Sequence, residues 1–290
     1  MNILKVENLC KSYKDFQLDN VSFTLPEGYI MGFIGSNGAG KTTTLKGILN
    51  LIHTENGTVE ILGKDFKANE IALKQDVAFM VGENNYYRKK KIGLIAEVVS
   101  RFYMNWDQSY YEKLLKRFKL DPEKKIQELS QGMKVKFSLA LALSHKAKLI
   151  LLDEPTSGLD PVARDDLLEI FQELIEDGKK SILFSTHITN DLEKCADYIT
   201  FISNGRIIES TEKDIFLENY RIISGSAGIL DDIKSNVVSY KTHSLGFSAL
   251  IENEKISKIK PFNGSLNVKN ANLDDIMIYF SKKDQGGSND

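Results

Sequence analysis

The sequence predicts an α/β fold: a mainly parallel sheet, an antiparallel β subdomain, an α-helical subdomain, and a small C-terminal α+β accessory domain. Three observations carry this expectation. The strongly apolar strands 149–152 and 181–186 are separated by a helical segment, 161–176, the alternation that a parallel sheet covered on both faces requires. A glycine-rich loop, 35–42, joins an apolar strand to a helix. Beyond about residue 216 the pattern turns to short β-like runs and one closing helix. The expected division is therefore 1–215 and 216–290.

In chain order, residues 3–7 and 21–25 read as short strands. Residues 18–25 alternate well, and Pro26-Glu27-Gly28 marks a turn. Residues 29–34 read as a buried strand and 43–49 as a helix. Residues 59–62 and 77–81 are further strands. From about Ile92 to Ser144 the pattern is helical, which sets a helical subdomain at about 84–144. Tyr111, Leu114, Leu115, Phe118 and Leu120 approximate one face of an amphipathic helix, and Asp121-Pro122 interrupts it. Residues 198–202 and 206–209 form a hairpin across Ser203-Asn204-Gly205. In the accessory domain, 237–240 and 247–251 are β-like, 271–282 closes as a helix, and 285–290 is expected to be disordered.

Composition excludes several classes. With 38 basic against 40 acidic residues, net charge −2, no global field favours nucleic acid. Cys10 and Cys195 stand far apart and match no metal spacing, so a reduced, cytosolic setting is expected. The first residues show no secretory pattern, and no apolar run approaches the length of a membrane span. Any membrane this chain serves is spanned by another polypeptide.

The chemistry begins at Gly35-Ser36-Asn37-Gly38-Ala39-Gly40-Lys41-Thr42, which fits G-x-x-x-x-G-K-[ST]. A strand before it and a helix after it aim backbone N–H groups and a positive helix end at one anion site. The core is accordingly expected to be a P-loop NTPase core that binds a nucleoside triphosphate, with Thr43 completing the cradle. Lys41 would reach the β- and γ-phosphates, and the Thr42 hydroxyl would ligate Mg²⁺. The apolar strand 149–152 ends in Asp153 and Glu154. Asp153 would hold the Mg²⁺ shell, and Glu154 would polarise the attacking water. Ser130 and the Gly132 backbone, at the start of helix 133–144, make a second anion-binding corner.

The order and spacing of these motifs resemble the ATPase subunit of an ATP-binding cassette (ABC) transporter, over about residues 2–215. Residues 35–42 match the family's Walker A and 149–154 its Walker B. Residues 129–133 resemble its LSGGQ signature, and 157–160 its D-loop. The resemblance implies that His187 is the switch histidine against the γ-phosphate, that Tyr13 stacks on adenine, and that Asp160 lies near the nucleotide. It further implies a head-to-tail dimer, as homodimer or with a sister ATPase. Two ATP molecules would be sandwiched in it, each between the phosphate loop of one chain and Ser130 and Gly132 of the other.

Two departures stand out. Gln131 and Met133 replace the signature's usual Gly and Gln. Gly82-Glu83 stands where the Q-loop glutamine is expected, and Glu83 would partly take over metal or water positioning. Arg88-Lys89-Lys90-Lys91 is the strongest charge run. It is either solvated surface or a contact with the membrane partner's loops or anionic lipid headgroups.

Residues 105–107 and 136–144 resemble a Gram-positive exporter branch linked to antimicrobial resistance and peptide export. Length and C-terminal extension are similar to ATPase subunits of staphylococcal phenol-soluble modulin exporters. The function implied is ATP-driven export of amphipathic or antimicrobial-type peptides or drugs, at the cytoplasmic face of the membrane, through a separate transmembrane permease. The rival readings are an ABC importer ATPase, a soluble ABC ATPase on ribosomes or DNA, and a non-hydrolysing module. No nucleic-acid partner is expected.

Overall fold

Strand β3 (Ile30–Ile34) is buried at every position, and the largest sheet is built outward from it. The computed structural model describes residues 1–81, 87–262 and 265–284. Gly82, Glu83 and the tail 285–290, all with expectations above, lie outside the described residues. The other strands of this sheet are β6 (Val77–Met80), β7 (Leu149–Asp153), β8 (Ser181–Thr186), β9 (Tyr198–Ser203) and β10 (Arg206–Glu212). Their order is β10-β9-β3-β8-β7-β6. All neighbours are parallel except β10, which returns antiparallel along β9. Asn204 and Gly205 make that return with φ of 45° and 73°, as a two-residue turn of the I′ type requires.

Side-chain alternation splits each strand between two cores. Met31, Phe33, Leu149, Leu151 and Leu183 face one side, with Leu45 and Ile48 of helix α1 (Lys41–Ile48). Ile30, Ile34, Ile150, Leu152, Ile182 and Phe184 face the other. There they meet α5 (Gln131–Leu143), α6 (Pro161–Ile175) and α7 (Thr189–Cys195). Helices on both faces are what the apolar strands predict.

The antiparallel sheet has the order β2-β1-β4-β5, from β1 (Asn2–Ser12), β2 (Gln17–Pro26), β4 (Asn56–Ile61) and β5 (Lys64–Asp65). The first two strands are longer than 3–7 and 21–25. The pairing register shifts between Val6 and Leu9, and Asn8 and Asn20 take φ of 50° and 51°. Such irregularities change the phase of the alternation, so a pattern read by strict period two stops early.

The helical run from Ile92 resolves into α3 (Ile92–Ser100), α4 (Gln108–Arg117) and α5, after α2 (Glu70–Leu73) outside it. Asp107 caps α4 by accepting from Tyr110 N–H at 2.9 Å. Tyr111, Leu114, Leu115, Phe118 and Leu120 are all buried as predicted. The helix ends at Arg117, before Pro122, and the left-handed turn at Lys119 (φ 54°) brings Leu120 back into the core.

The C-terminal residues form an antiparallel sheet of order β12-β13-β11-β14. It comprises β11 (Tyr220–Gly225), β12 (Val237–His243), β13 (Gly246–Glu252) and β14 (Leu266–Asn270), with α8 (Lys213–Glu218) leading in. Ile223, Phe247, Ala249 and Ile251 pack on α9 (Ala227–Ile233). The opposite face, with Ile222 and Leu250, packs on α10 (Leu273–Asp284) and is continuous with the main core.

Candidate functional site

The parallel register brings three strand ends together. Ile34 pairs with Thr186, and Asp153 pairs with Ser185. The glycine-rich loop, the acidic strand end and His187 therefore converge at the carboxyl edge of one sheet, where open α/β sheets bind ligands.

Within the loop, Gly40 precedes α1 at φ 113°, a conformation that glycine adopts without strain. No side chain caps the first turn of α1, and the first N–H groups of a helix have no intrahelical partner, the arrangement that an anion site uses. Ser36 accepts from Ala39 N–H at 3.1 Å, and the Ala39 carbonyl is tied to Gly205 N–H at 2.9 Å. Gly35 and Ala39 are buried, while Asn37 and Gly38 are exposed at the rim. Thr42 and Thr43 stand half-buried in the first turn. Lys41 is buried, and its ammonium donates to the carbonyls of Gly35 (2.8 Å) and Ser36 (3.3 Å).

That ammonium also stands 3.4 Å from Glu154 Oε1, and His187 Nδ1 lies 2.8 Å from Glu154 Oε2. One carboxylate thus bridges the loop lysine and the histidine. Glu154 holds φ 48°, uncommon for a residue with a side chain. Its N–H is fixed by the Ser185 hydroxyl (3.0 Å) and carbonyl (3.1 Å). Thr42 Oγ1 donates to Asp153 Oδ2 at 2.7 Å. Lys41, Thr42, Asp153, Glu154 and His187, the five residues expected at one site, are juxtaposed in the structure.

Ser185 was not among the expected site residues. Its hydroxyl donates to Asp153 Oδ1 at 2.6 Å while accepting from Glu154 N–H. The available signal was a small polar residue two positions before His187, directly after the apolar run Ile182-Leu183-Phe184.

Other expected residues stand apart. Ser130 Oγ accepts from Met133 N–H at 3.2 Å, as the N-cap of α5. Asp160 caps α6, accepting from Ala163 N–H at 2.9 Å, and that bond holds its carboxyl below the usual range. Gly132 neighbours this turn, since a Cβ there would stand 3.2 Å from the Gly158 carbonyl. Ser130, Gly132 and Asp160 therefore form a second corner of the same chain. Tyr13 is exposed beside the Lys11 ammonium, 5.3 Å from its ring centroid. Phe16, in the same hairpin, reaches Gly40 of the phosphate loop.

The donor set fits a phosphate-bound divalent ion. Among the described residues no cluster of three His, Cys, Asp or Glu side chains could hold a metal unaided. Thr42 and Asp153 offer two hard oxygens beside the loop, and Mg²⁺ characteristically takes few protein ligands together with phosphate and water oxygens.

Comparison with known proteins gives a consistent result. Residues 18–157 match the family described as ABC transporter. The chain is 32% identical to the ABC transporter ATP-binding protein YtrB of Bacillus subtilis, over 75% of each chain. It is 27% identical to the bacitracin transport ATP-binding protein BcrA of Bacillus licheniformis, over 99% of this chain and 98% of that one. That alignment therefore includes the C-terminal sheet. The lantibiotic transport ATP-binding protein SrtF of Streptococcus pyogenes is 32% identical over 73% of this chain and 92% of its own. Among solved structures, an ATP-binding subunit of an ABC transporter superposes with a TM-score of 0.67 at 28% identity, covering 73% of this chain and 91% of that one. The ADP conformation of MJ1267, an ATP-binding cassette of an ABC transporter, gives 0.62 at 26% identity, covering 74% and 92%.

Proposed function

The chain belongs to the ABC transporter family as an ATP-hydrolysing, nucleotide-binding subunit, and from that premise we propose that it powers a bacterial exporter of amphipathic or antimicrobial-type peptides or drugs. The observation that carries the chemical part is the single carboxylate of Glu154 between Lys41 and His187. The export reading is supported by the bacitracin and lantibiotic transport labels of BcrA and SrtF. None of the relatives named above bears a phenol-soluble modulin label, so the cargo class proposed is the broader one.

In this reading the triphosphate lies over Gly35, Ser36, Asn37, Gly38, Ala39 and Gly40. Lys41 leaves the loop carbonyls for the β- and γ-phosphates, and Thr42 and Thr43 close the cradle. Mg²⁺ would be held by Thr42 and Asp153, with Glu83 as a further candidate, and would neutralise charge developing on the phosphates. Lys41, Glu154 and His187 are the catalytic groups. Glu154 accepts the proton of the attacking water, and His187, already bonded to Glu154, orients that carboxylate and contacts the γ-phosphate. Tyr13 stacks on adenine.

Ser130, Gly132 and Asp160 act on the nucleotide of a facing subunit, in a homodimer or with a sister ATPase. Closure of that dimer is favoured because the γ-phosphate gains contacts only in the closed state. Residues 1–215 are assigned the nucleotide-binding role, with the helical subdomain at about 84–144 passing motion to a separate permease. Residues 216–290 are assigned as an accessory domain. Among the described residues no helix is long and apolar enough to cross a membrane; the transport subunits it resembles support a peripheral place at the cytoplasmic face. Arg88, Lys89 and Lys90 are exposed, while Lys91 is also paired with Glu123 at 2.5 Å, and this patch is offered to the permease.

Affinity purification of the tagged full chain from membranes tests the reading. A multi-spanning membrane protein should be recovered with it, and purified chain should release phosphate from ATP. Recovery on ribosomes in place of a membrane protein would overturn it.

A further inference from the structure

The C-terminal sheet reaches the nucleotide site through one helix. Asp274, in the first turn of α10, accepts a hydrogen bond from the Thr189 hydroxyl at 2.5 Å. Thr189 is 4% exposed and opens α7, two residues after His187. The short segment between them is braced further where Ile188 N–H donates to Thr186 Oγ1 at 2.9 Å.

Both helices are themselves held in place. On α7, Leu192 is fully buried over Gly32 of β3, where a Cβ would come within 2.3 Å of Leu192 Cδ2. Only a glycine in the strand that feeds the phosphate loop allows α7 to lie this close. On α10, Leu273 and Ile276 are fully buried. Phe280 meets Phe201 edge-on at 5.1 Å and Tyr220 at 5.7 Å. The Tyr279 carbonyl accepts from Ser239 Oγ at 2.5 Å, and the Tyr279 hydroxyl donates to Ser248 at 2.8 Å. Helix α10 is therefore bonded to its own sheet through Tyr279 and packed on β9 through Phe280, and its Asp274 meets the segment that follows His187 at Thr189.

We propose that Asp274 is a positioning residue for hydrolysis: by holding Thr189 it sets His187 against Glu154, so the C-terminal sheet tunes the nucleotide site. This rests on the reading that His187 acts at the γ-phosphate. Coupling of this kind is reciprocal in binding, so nucleotide that draws on His187 also loads the Thr189–Asp274 bond. Displacing a reacting group by a fraction of an ångström slows chemistry while leaving ground-state binding largely intact.

The test is steady-state ATP hydrolysis by the purified full chain, with thermal unfolding run beside it. Thr189→Val, which keeps the shape and loses the hydroxyl, and Asp274→Ala should each lower kcat roughly 10-fold. KM for ATP should stay within about 2-fold. Thr189→Ser and Asp274→Asn, which preserve donor and acceptor, should retain wild-type kcat. In a His187→Ala background, Thr189→Val should cause no further loss. If Asp274→Ala does not fold, Thr189→Val carries the test. Wild-type kcat in Thr189→Val, or an undiminished loss in the His187→Ala background, would overturn the inference. A wild-type chain unable to hydrolyse ATP would instead remove the underlying reading, so the two failures are distinguishable.

Discussion

Ser185 Oγ lies 2.6 Å from Asp153 Oδ1, across the pairing of two parallel strands. The other oxygen of that carboxylate takes the Thr42 hydroxyl at 2.7 Å. Asp153 is thus aimed at the phosphate loop by a residue from a different strand, and the same hydroxyl accepts from Glu154 N–H. A single buried serine orients both carboxylate positions.

Ser185→Ala leaves Asp153 Oδ1 without its donor, while Glu154 N–H keeps only the backbone carbonyl of residue 185 as its acceptor. Ser185 is fully buried, so the loss should cost about 1–3 kcal/mol of stability. Because Asp153 is then free to rotate away from Thr42, the Mg²⁺ concentration needed for half-maximal hydrolysis should rise. Chemical denaturation and a Mg²⁺ titration of ATPase rate check the two effects separately. A variant with unchanged Mg²⁺ dependence would show that Ser185 only packs.

The second corner, Ser130 and Gly132, is predicted to serve a facing copy. Lys41→Ala and Ser130→Ala should each be inactive alone. Mixed, they pair an intact loop on one chain with an intact Ser130 on the other, and hydrolysis should return in part. ATPase rates of the separate and mixed proteins make the comparison. A mixture as inactive as its components would contradict a shared site.

His145 is 2% exposed, with Nε2 at 3.1 Å from the Val77 carbonyl and its ring stacked on Tyr103 at 3.8 Å. Burial pushes its pKa below the ordinary 6.5, against a smaller opposing effect of the Val77 bond. The folded state therefore binds this proton less readily than the unfolded chain. Its stabilising contribution is complete above the unfolded pKa and is lost as pH falls through that value towards the folded one. One such proton changes stability by at most about 1.4 kcal/mol per pH unit. Thermal melts from about pH 7.5 to about pH 5.5 should fall more steeply for wild type than for His145→Gln. Parallel slopes would refute the assignment.

The site was legible where its logic is local. The loop 35–42 and the pair Asp153-Glu154 announce themselves by contiguous residue types, because phosphate binding needs a fixed backbone path. The two-residue turn at Asn204-Gly205 was legible for the same reason, since both positions require positive φ. What the sequence did not reveal acts across the fold. Ser185 matters only through the strand register opposite Asp153, and Asp274 only through the docking of α10 on α7. The irregularity at Asn8 concealed the length of β1, because a one-residue change of phase defeats any reading by alternation.

Glu154, between Lys41 and His187, is the group proposed to activate water. The most direct measurement is phosphate release from bound ATP by wild type and Glu154→Gln, with ATP affinity measured in parallel. Glutamine keeps the shape and gives up the base. The variant should retain ATP and release phosphate at least about 100-fold more slowly. Equal rates of release from the two proteins would contradict that role.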